Sequence, residues 1–135
     1  MVNMRPFTAF EQKNLKFLVN HNVKFTQVEI TPTGLGKGIL DSTAPMRAYF
    51  LENGIHNYEG QLQGQEHKQI KQACILTDAT QFFTKASFYR PNTKKGDPRM
   101  WIYGFGSYTE GNDIHVLFWH EQTLYSINIT HIDID

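Results

Sequence analysis

A cationic stretch flanked by aromatic residues is the part of the sequence best suited to chemistry. It covers residues 85–104, where five basic side chains stand against one acid, Asp97. Pro91 and Pro98 restrict the backbone, and Gly96-Asp97 before Pro98 is typical of a turn. The pattern predicts a strand, a stiff cationic loop and a second apolar segment. Such a loop is suited to binding phosphates and base edges.

In a nucleic-acid complex these side chains would divide into phosphate binders, base readers and stacking rings. Lysines favour phosphates, arginines can bind guanine with two hydrogen bonds, and Asn92 can do the same with adenine. The predicted DNA-contacting residues are Lys85, Arg90, Asn92, Lys94, Lys95 and Arg99, with Lys37 and Arg47 as a second group, and the predicted stacking residues are Tyr89 and Trp101. The alternative is an exposed hairpin loop whose lysines only keep the chain soluble.

The composition excludes a general polycation but not a local basic patch. The chain has 135 residues and a formal net charge of zero, which predicts a single domain, 1–135, with a proper core. Residues 66–110 contain seven basic and four acidic side chains, whereas residues 113–135 contain acids and no Lys or Arg. A local patch of this kind sets the field that a polyanion meets.

Cysteine usage and hydropathy indicate the cellular compartment of the protein. Cys74 is the only cysteine, so an intramolecular disulfide and a cysteine-rich zinc site are excluded, and Cys74 is most simply a small core residue. The N-terminus has no apolar signal-peptide core, and no stretch is long enough to span a bilayer. We therefore expect a cytoplasmic protein with no membrane partner.

Periodicity predicts two helices and then mostly strands, which is typical of an α+β domain or of a small barrel with two helices at its ends. Helices are predicted at 7–20 and 42–53, with Thr8 and Glu11 at capping-box spacing. Met46, Tyr49, Phe50 and Ile55 are the predicted buried stripe of the second helix. Strands are predicted at 23–30, 67–76, 81–89, 113–120 and 124–130, a short apolar segment at 101–105, a glycine-rich connector at 31–38, a turn-rich loop at 106–112 and a hairpin loop at 120–123.

Two other functions remain open. Glu66-His67-Lys68, with Asp41 and Glu59 upstream, is similar to the PD-(D/E)xK nuclease pattern, in which carboxylates hold Mg²⁺ and a lysine assists the attacking water. A Glu-x-Lys triplet is common by chance, so we favour a binding module over an enzyme. The same cationic loop with its aromatic rings would also suit a nucleotide or a phosphorylated metabolite.

Other catalytic patterns are absent from the sequence. The six histidines include no pair at the helical spacing of a zinc enzyme, and Ser42 and Ser87 lack a nucleophile elbow. We therefore expect no cofactor and no metal.

Three segments together resemble a known family. They are TGLGKGILDSTAPMRAYF at 33–50, GIHNY at 54–58 and YRPNTKKGDPRMW at 89–101. They resemble the N-terminal DNA-binding module of type II restriction endonucleases of the MvaI/BcnI group. The resemblance covers about residues 31–130, and Lys-Lys-Gly-Asp-Pro-Arg at 94–99 is its most specific part.

The resemblance implies a DNA-binding role and a fold. The fold is the pseudobarrel of EcoRII-type effector domains and of plant transcription factors, a seven-stranded open barrel with two short helices. The departure is that no catalytic domain follows in this chain. The resemblance thus implies a module that works in fusion or association with a nuclease, or a stand-alone relative of phage or mobile-element origin with a role in defence or anti-defence.

Overall fold

Seven strands wrap into one sheet in the computed structural model, which describes residues 4–134. The strands are β1 Thr26–Ile30, β2 Leu40–Asp41, β3 Gln69–Leu76, β4 Gln81–Tyr89, β5 Arg99–Ile102, β6 Asp113–His120 and β7 Thr123–Asn128. The helices of the described chain are α1 Ala9–Asn20, α2 Pro32–Lys37, α3 Ala44–Glu52 and α4 Phe105–Tyr108. Short 3₁₀ turns cover Tyr58–Gly60, Gln65–His67 and Lys94–Gly96.

The sheet is a nearly closed barrel with one opening. The strand order is β1-β6-β7-β3-β4-β5-β2, and every neighbouring pair is antiparallel except β3 and β7. The two edge strands, β1 and β2, flank the opening, which we call the seam. The predicted small open pseudobarrel of about seven strands is confirmed.

The barrel interior holds the larger core. Aromatic and long aliphatic side chains fill it, among them Phe50, Phe88, Met100 and Phe105, all fully buried. Helix α3 contributes the predicted stripe, since Met46, Tyr49 and Phe50 are buried, as is Ile55, which follows the helix. Burying side chains of this size stabilises the fold by about 1.5–3 kcal/mol each.

A second core lies between α1 and the outer face of the sheet. Leu18 on α1 packs with Ile114, Val116 and Ile127 of β6 and β7. The predicted capping box is present, because the Thr8 side chain accepts from the Glu11 N–H and the Glu11 side chain accepts from the Thr8 N–H. Cys74 is completely buried on β3, as expected of a core residue.

The predicted strands at 81–89 and 113–120 match β4 and β6. Where other predicted elements differ from the structure, the differences have local causes. Strand β3 starts two residues later than predicted, because a 3₁₀ turn precedes it. Part of the predicted glycine-rich connector is helical, since Thr31 caps α2, Pro32 opens it and left-handed Gly38 ends it. The loop expected at 106–112 likewise contains most of α4.

The strand boundaries near the C-terminus follow from turn chemistry. Glu121 and Gln122 both have positive φ angles, 47° and 66°, the geometry of a tight two-residue hairpin turn. The predicted hairpin between β6 and β7 is therefore confirmed. Of the helices in residues 4–134, none has the length and apolar content needed to cross a bilayer.

Candidate functional site

A cavity of about 360 Å³ opens along the seam between β1 and β2. Its floor includes the apolar side chains of Val28 and Leu40. Its basic lining residues come from distant parts of the sequence: Lys37 from α2, and Lys94 and Arg99 from the β4–β5 connection and the start of β5. The fold thus brings three of the predicted DNA-contacting residues into one cavity.

Helix α2 is placed beside the seam by its ends. The Thr31 side chain accepts from the Gly34 N–H at 3.0 Å and fixes the start of the helix. Gly38 adopts a left-handed conformation with φ 67° and leads the chain into β2. A Cβ atom at Gly38 would lie 3.8 Å from the Trp101 ring, so the end of α2 lies against β5. This contact sets the position of Lys37.

The cationic loop between β4 and β5 has a fixed conformation. The Arg90 side chain donates from Nε to the Gly96 carbonyl (2.9 Å) and from Nη1 to the Gln61 carbonyl (3.1 Å). Lys94 and Lys95 adopt left-handed conformations with φ 50° and 57°, and both side chains are exposed. Arg90 therefore spends donors on holding the loop, which presents the two lysines to solvent.

Arg99 has an unusual environment within the cavity. Within residues 4–134, its buried Nε has no hydrogen-bond partner and its side chain forms no ion pair. It is opposite Asp41 in the β2–β5 ladder. A buried donor without a partner costs about 1–3 kcal/mol. The side chain of Arg99 is thus incompletely satisfied where it lines the cavity.

The start of α3 adds to the positive character of the seam. Thr43, the residue before α3, lines the cavity and makes no side-chain cap. The exposed Arg47 donates to the Ser42 carbonyl at 2.6 Å, and the Ser42 N–H donates to the Pro98 carbonyl at 3.0 Å. Arg47 therefore sits close to the end of the cationic loop.

Acidic groups also line the cavity, so it is not uniformly cationic. Glu29 and Asp41 both contribute to it. The Glu29 carboxylate accepts from the backbone N–H of Arg5 at 3.1 Å, which ties it to the N-terminal segment. Asp41 is the acid nearest to Arg99 in the sheet register.

Three of the predicted site residues have other positions or roles. Lys85 lies on β4 and lines a separate basin with Lys71 and Gln122. Tyr89 is only 6% exposed and has the Lys68 Nζ 5.3 Å from its ring centroid, so it offers no free ring face for stacking. Trp101 is half-buried and packs edge-on against the Phe105 ring, 5.2 Å away. Asn92, in contrast, is exposed on the cationic loop, as predicted.

The residues of the nuclease alternative do not meet. Asp41 lines the seam, Glu59 and Glu66 lie in two different 3₁₀ turns, and the Lys68 side chain covers Tyr89. Within the described part of the chain, one cluster of three potential metal ligands occurs, and it contains none of these acids. The geometry therefore gives no support to metal-dependent cleavage by this group.

Sequence reasoning missed the residue that organises the loops below the seam. Gln61 is buried, and its Nε2 donates to the carbonyls of His67 and Phe88, both at 2.9 Å. Its Oε1 lies 2.9 Å from Nε2 of His56, a ring whose pKa is lowered by burial. A glutamine in a polar, glycine-spaced loop has no sequence signal for such a role.

Comparison with family models, with curated proteins and with solved structures finds no match to this chain. The resemblance to the restriction-endonuclease module therefore stays a prediction.

Proposed function

We propose that this chain is a non-catalytic DNA-binding domain that reads duplex DNA along the seam. The observation that carries the proposal is the convergence of basic residues from separate segments on one cavity, where Arg99 has a buried donor without a partner. Lys95 and Arg47 extend the basic surface beyond the cavity. Asn92, on the same loop, is available for base contacts.

The fixed shape of the cationic loop supports binding to a rigid polyanion. Arg90 and the left-handed backbone of Lys94 and Lys95 hold the loop before any ligand arrives. A loop that is already ordered loses less entropy on binding. The lysines would neutralise phosphates, and this term makes affinity fall with salt by about 0.9 logarithmic units per phosphate for each tenfold rise.

The neighbouring side chains of Asp41 and Arg99 suggest a base preference. In the major groove guanine presents two acceptors, which suit arginine, and its cytosine partner presents an amino donor, which suits a carboxylate. A C·G pair therefore matches both side chains at once. Selection of binding sites from random duplexes should enrich this pair, and Asp41→Asn should relax the preference.

The first experiment is fluorescence anisotropy with labelled duplex and single-stranded oligonucleotides across a salt series, without metal. We expect duplex binding with a steep salt dependence. Arg99→Ala should weaken binding by about tenfold or more, and Lys95→Ala should reduce the salt slope by about one phosphate. Lys85→Ala is the matched control, because it removes one positive charge outside the seam and should leave affinity nearly unchanged.

Two results would contradict the proposal. The first is an absence of binding at low salt. The second is an equal loss of affinity in Lys85→Ala and Arg99→Ala, since that would indicate general attraction to a charged protein and no role for the seam.

A nucleotide or phosphorylated metabolite is the second candidate ligand. The volume of the seam cavity favours it, since small-molecule sites measure about 300–1,000 Å³, and the basic residues Lys37, Lys94 and Arg99 of its lining suit a phosphate. A thermal shift with a nucleotide panel but none with duplex DNA would support this candidate, and Arg99→Ala should then abolish the shift.

A domain that binds DNA without cleaving it needs a partner domain or protein to act on that DNA. In keeping with the resemblance of residues 33–50 and 89–101, we propose that this chain works in fusion or association with a nuclease in the cytoplasm, in defence or anti-defence. Copurification of a nuclease with the tagged full chain would test this extension.

A further inference from the structure

A cluster of three potential metal ligands lies away from the seam, at the start of β6. The side chains of Glu110, Asp113 and His131 each offer one ligand atom, and these atoms lie within 4.8 Å of one another. We propose that they form a binding site for a divalent transition-metal ion of the zinc type. This inference uses no feature of the seam, so it stands or falls separately from DNA binding.

Asp113 is the fixed member of the cluster. It is 4% exposed, and its Oδ2 accepts from the Glu110 N–H (2.8 Å) and from the Asn128 side chain (2.9 Å). Its other oxygen, Oδ1, is thereby directed at Nε2 of His131, 3.0 Å away. Carboxylates that bind metals are commonly held in this way by outer hydrogen bonds.

The other two ligands are free to adjust around an ion. The Glu110 and His131 side chains are 83% and 52% exposed, and Oε2 of Glu110 lies 3.9 Å from Nε2 of His131. Bonds of about 2.0–2.1 Å to a tetrahedral zinc ion place neighbouring ligands about 3.3 Å apart. The two separations in the structure, 3.0 Å and 3.9 Å, bracket this value. Small rotations of exposed side chains would therefore complete the site.

The donor set indicates the class of ion. An imidazole nitrogen suits zinc, cobalt, nickel or copper better than calcium or magnesium. Three protein ligands leave a fourth position for water. The nearby Arg5, which donates from Nε to the Asn112 carbonyl, does not leave an uncompensated positive charge, because Glu11 binds its guanidinium.

A bound ion would connect three parts of the chain. Glu110 lies in the loop before β6, and His131 follows β7 in the segment that packs on α1 through Ile132 and Ile134. In the same loop, Gly111 lies against Pro32 at the start of α2, since a Cβ at Gly111 would be 3.1 Å from the Pro32 ring. Because a metal binds the folded chain best, its addition should raise the thermal stability.

The test is a cobalt titration of the full chain after treatment with a chelator. We expect visible absorption typical of cobalt with a nitrogen ligand, its displacement by zinc, and a higher melting temperature with zinc. His131→Ala should abolish the absorption, and Glu110→Gln should weaken cobalt binding by at least about tenfold, since loss of even an outer partner of a ligand costs about 10–100-fold. His120→Ala is the matched control: Nε2 of His120 lies 3.5 Å from Glu121 at an exposed position without a third ligand, and this variant should bind cobalt normally.

Two outcomes would overturn the proposal. One is that cobalt and zinc at millimolar concentration produce neither absorption nor a shift in melting temperature. The other is that His131→Ala and Glu110→Gln bind as well as the unmodified chain. Both variants change exposed side chains, so a folded protein is expected in each case.

Discussion

Two arginines in this fold have opposite surroundings. Arg5 belongs to what we call the N-terminal clamp, formed by Arg5, Thr8, Glu11 and Thr130, and Arg99 belongs to the seam. The Arg5 guanidinium binds both oxygens of the buried Glu11 carboxylate, at 2.8 Å and 2.5 Å. Within residues 4–134, the buried Nε of Arg99 has no hydrogen-bond partner. One arginine has all the partners that the fold can give it, and the other has a buried donor without a partner in the part of the chain that the structure describes.

The clamp shows what a fully partnered buried charge looks like. Glu11 also accepts from the Thr130 hydroxyl (2.6 Å) and from the Thr8 N–H (2.8 Å). The hydrogen bond from Arg5 is the largest influence that lowers the pKa of Glu11, to about 2, and Glu11 in turn raises the pKa of Arg5. The clamp thus joins the N-terminal segment, α1 and the end of the sheet.

The contrast shows how a candidate functional residue differs from a structural one in such a small domain. Buried polar groups with hydrogen-bond partners stabilise the fold, whereas a buried donor without a partner lowers its stability. A buried donor without a partner indicates a candidate binding residue when its side chain lines a cavity, as that of Arg99 does.

The largest expected effect is that of breaking the clamp. Arg5→Ala leaves the Glu11 carboxylate buried without its cation, and we expect the free energy of unfolding to fall by about 3 kcal/mol, the low end for a broken buried pair because Arg5 itself is partly exposed. Urea denaturation at neutral pH measures this loss. Lys13→Ala is the control, since Lys13 pairs with Asp133 at 2.6 Å on the surface, and its effect should stay below about 1 kcal/mol. Equal effects of the two substitutions would show that the clamp stabilises the fold no more than a surface ion pair does.

The next effect is a loss of stability in acid. Because the pKa of Glu11 is about 2 in the folded chain and about 4.3 when unfolded, its contribution is complete above pH 4.3 and disappears as the pH falls towards 2. We expect a loss on the order of 2 kcal/mol over this window. Thermal denaturation of the unmodified chain and of Arg5→Ala at several pH values measures it.

The Arg5→Ala variant should lose less stability across that window, since Glu11 no longer has its cation. Burial lowers the pKa of His115 to about 3, so both proteins should lose further stability as the pH falls from about 6.5 towards 3, because the unfolded chain takes up a proton that the folded chain does not. Parallel curves for the two proteins between pH 4.3 and 2 would show that the clamp is not the source of the acid sensitivity.

Local patterns in the sequence predicted more of the fold than of the candidate site. The capping box at Thr8 and Glu11, the stripe on α3 and the β6–β7 hairpin all rest on contacts between residues close in sequence, which spacing rules describe. The seven-stranded open barrel was implied by the resemblance, and the predicted order of helices and strands was compatible with it. The clamp escaped prediction, because Thr130 meets Glu11 only after the chain has folded.

The site was predictable by residue type but not by placement. The cationic loop is where the sequence indicated, yet only the folded chain shows that Arg90 spends its donors within the loop. Lys85 and Tyr89 share one face of β4, yet Lys85 is exposed in a separate basin whereas Tyr89 is buried at the end of the strand. The basic and aromatic pattern alone does not reveal this difference. The partners of a side chain are set by tertiary packing.

The smallest expected effect on stability is at Arg99, and it tests the contrast between Arg5 and Arg99 most directly. Arg99→Met keeps an unbranched apolar stem and removes the buried Nε, so the free energy of unfolding should be unchanged or higher by up to about 1 kcal/mol. Urea denaturation measures it beside Arg5→Met, which should be destabilising. DNA affinity of Arg99→Met should fall as in Arg99→Ala. A loss of stability above about 2 kcal/mol in Arg99→Met would mean that Arg99 completes the fold as Arg5 does, and the argument that its donor is kept for a ligand would then fail.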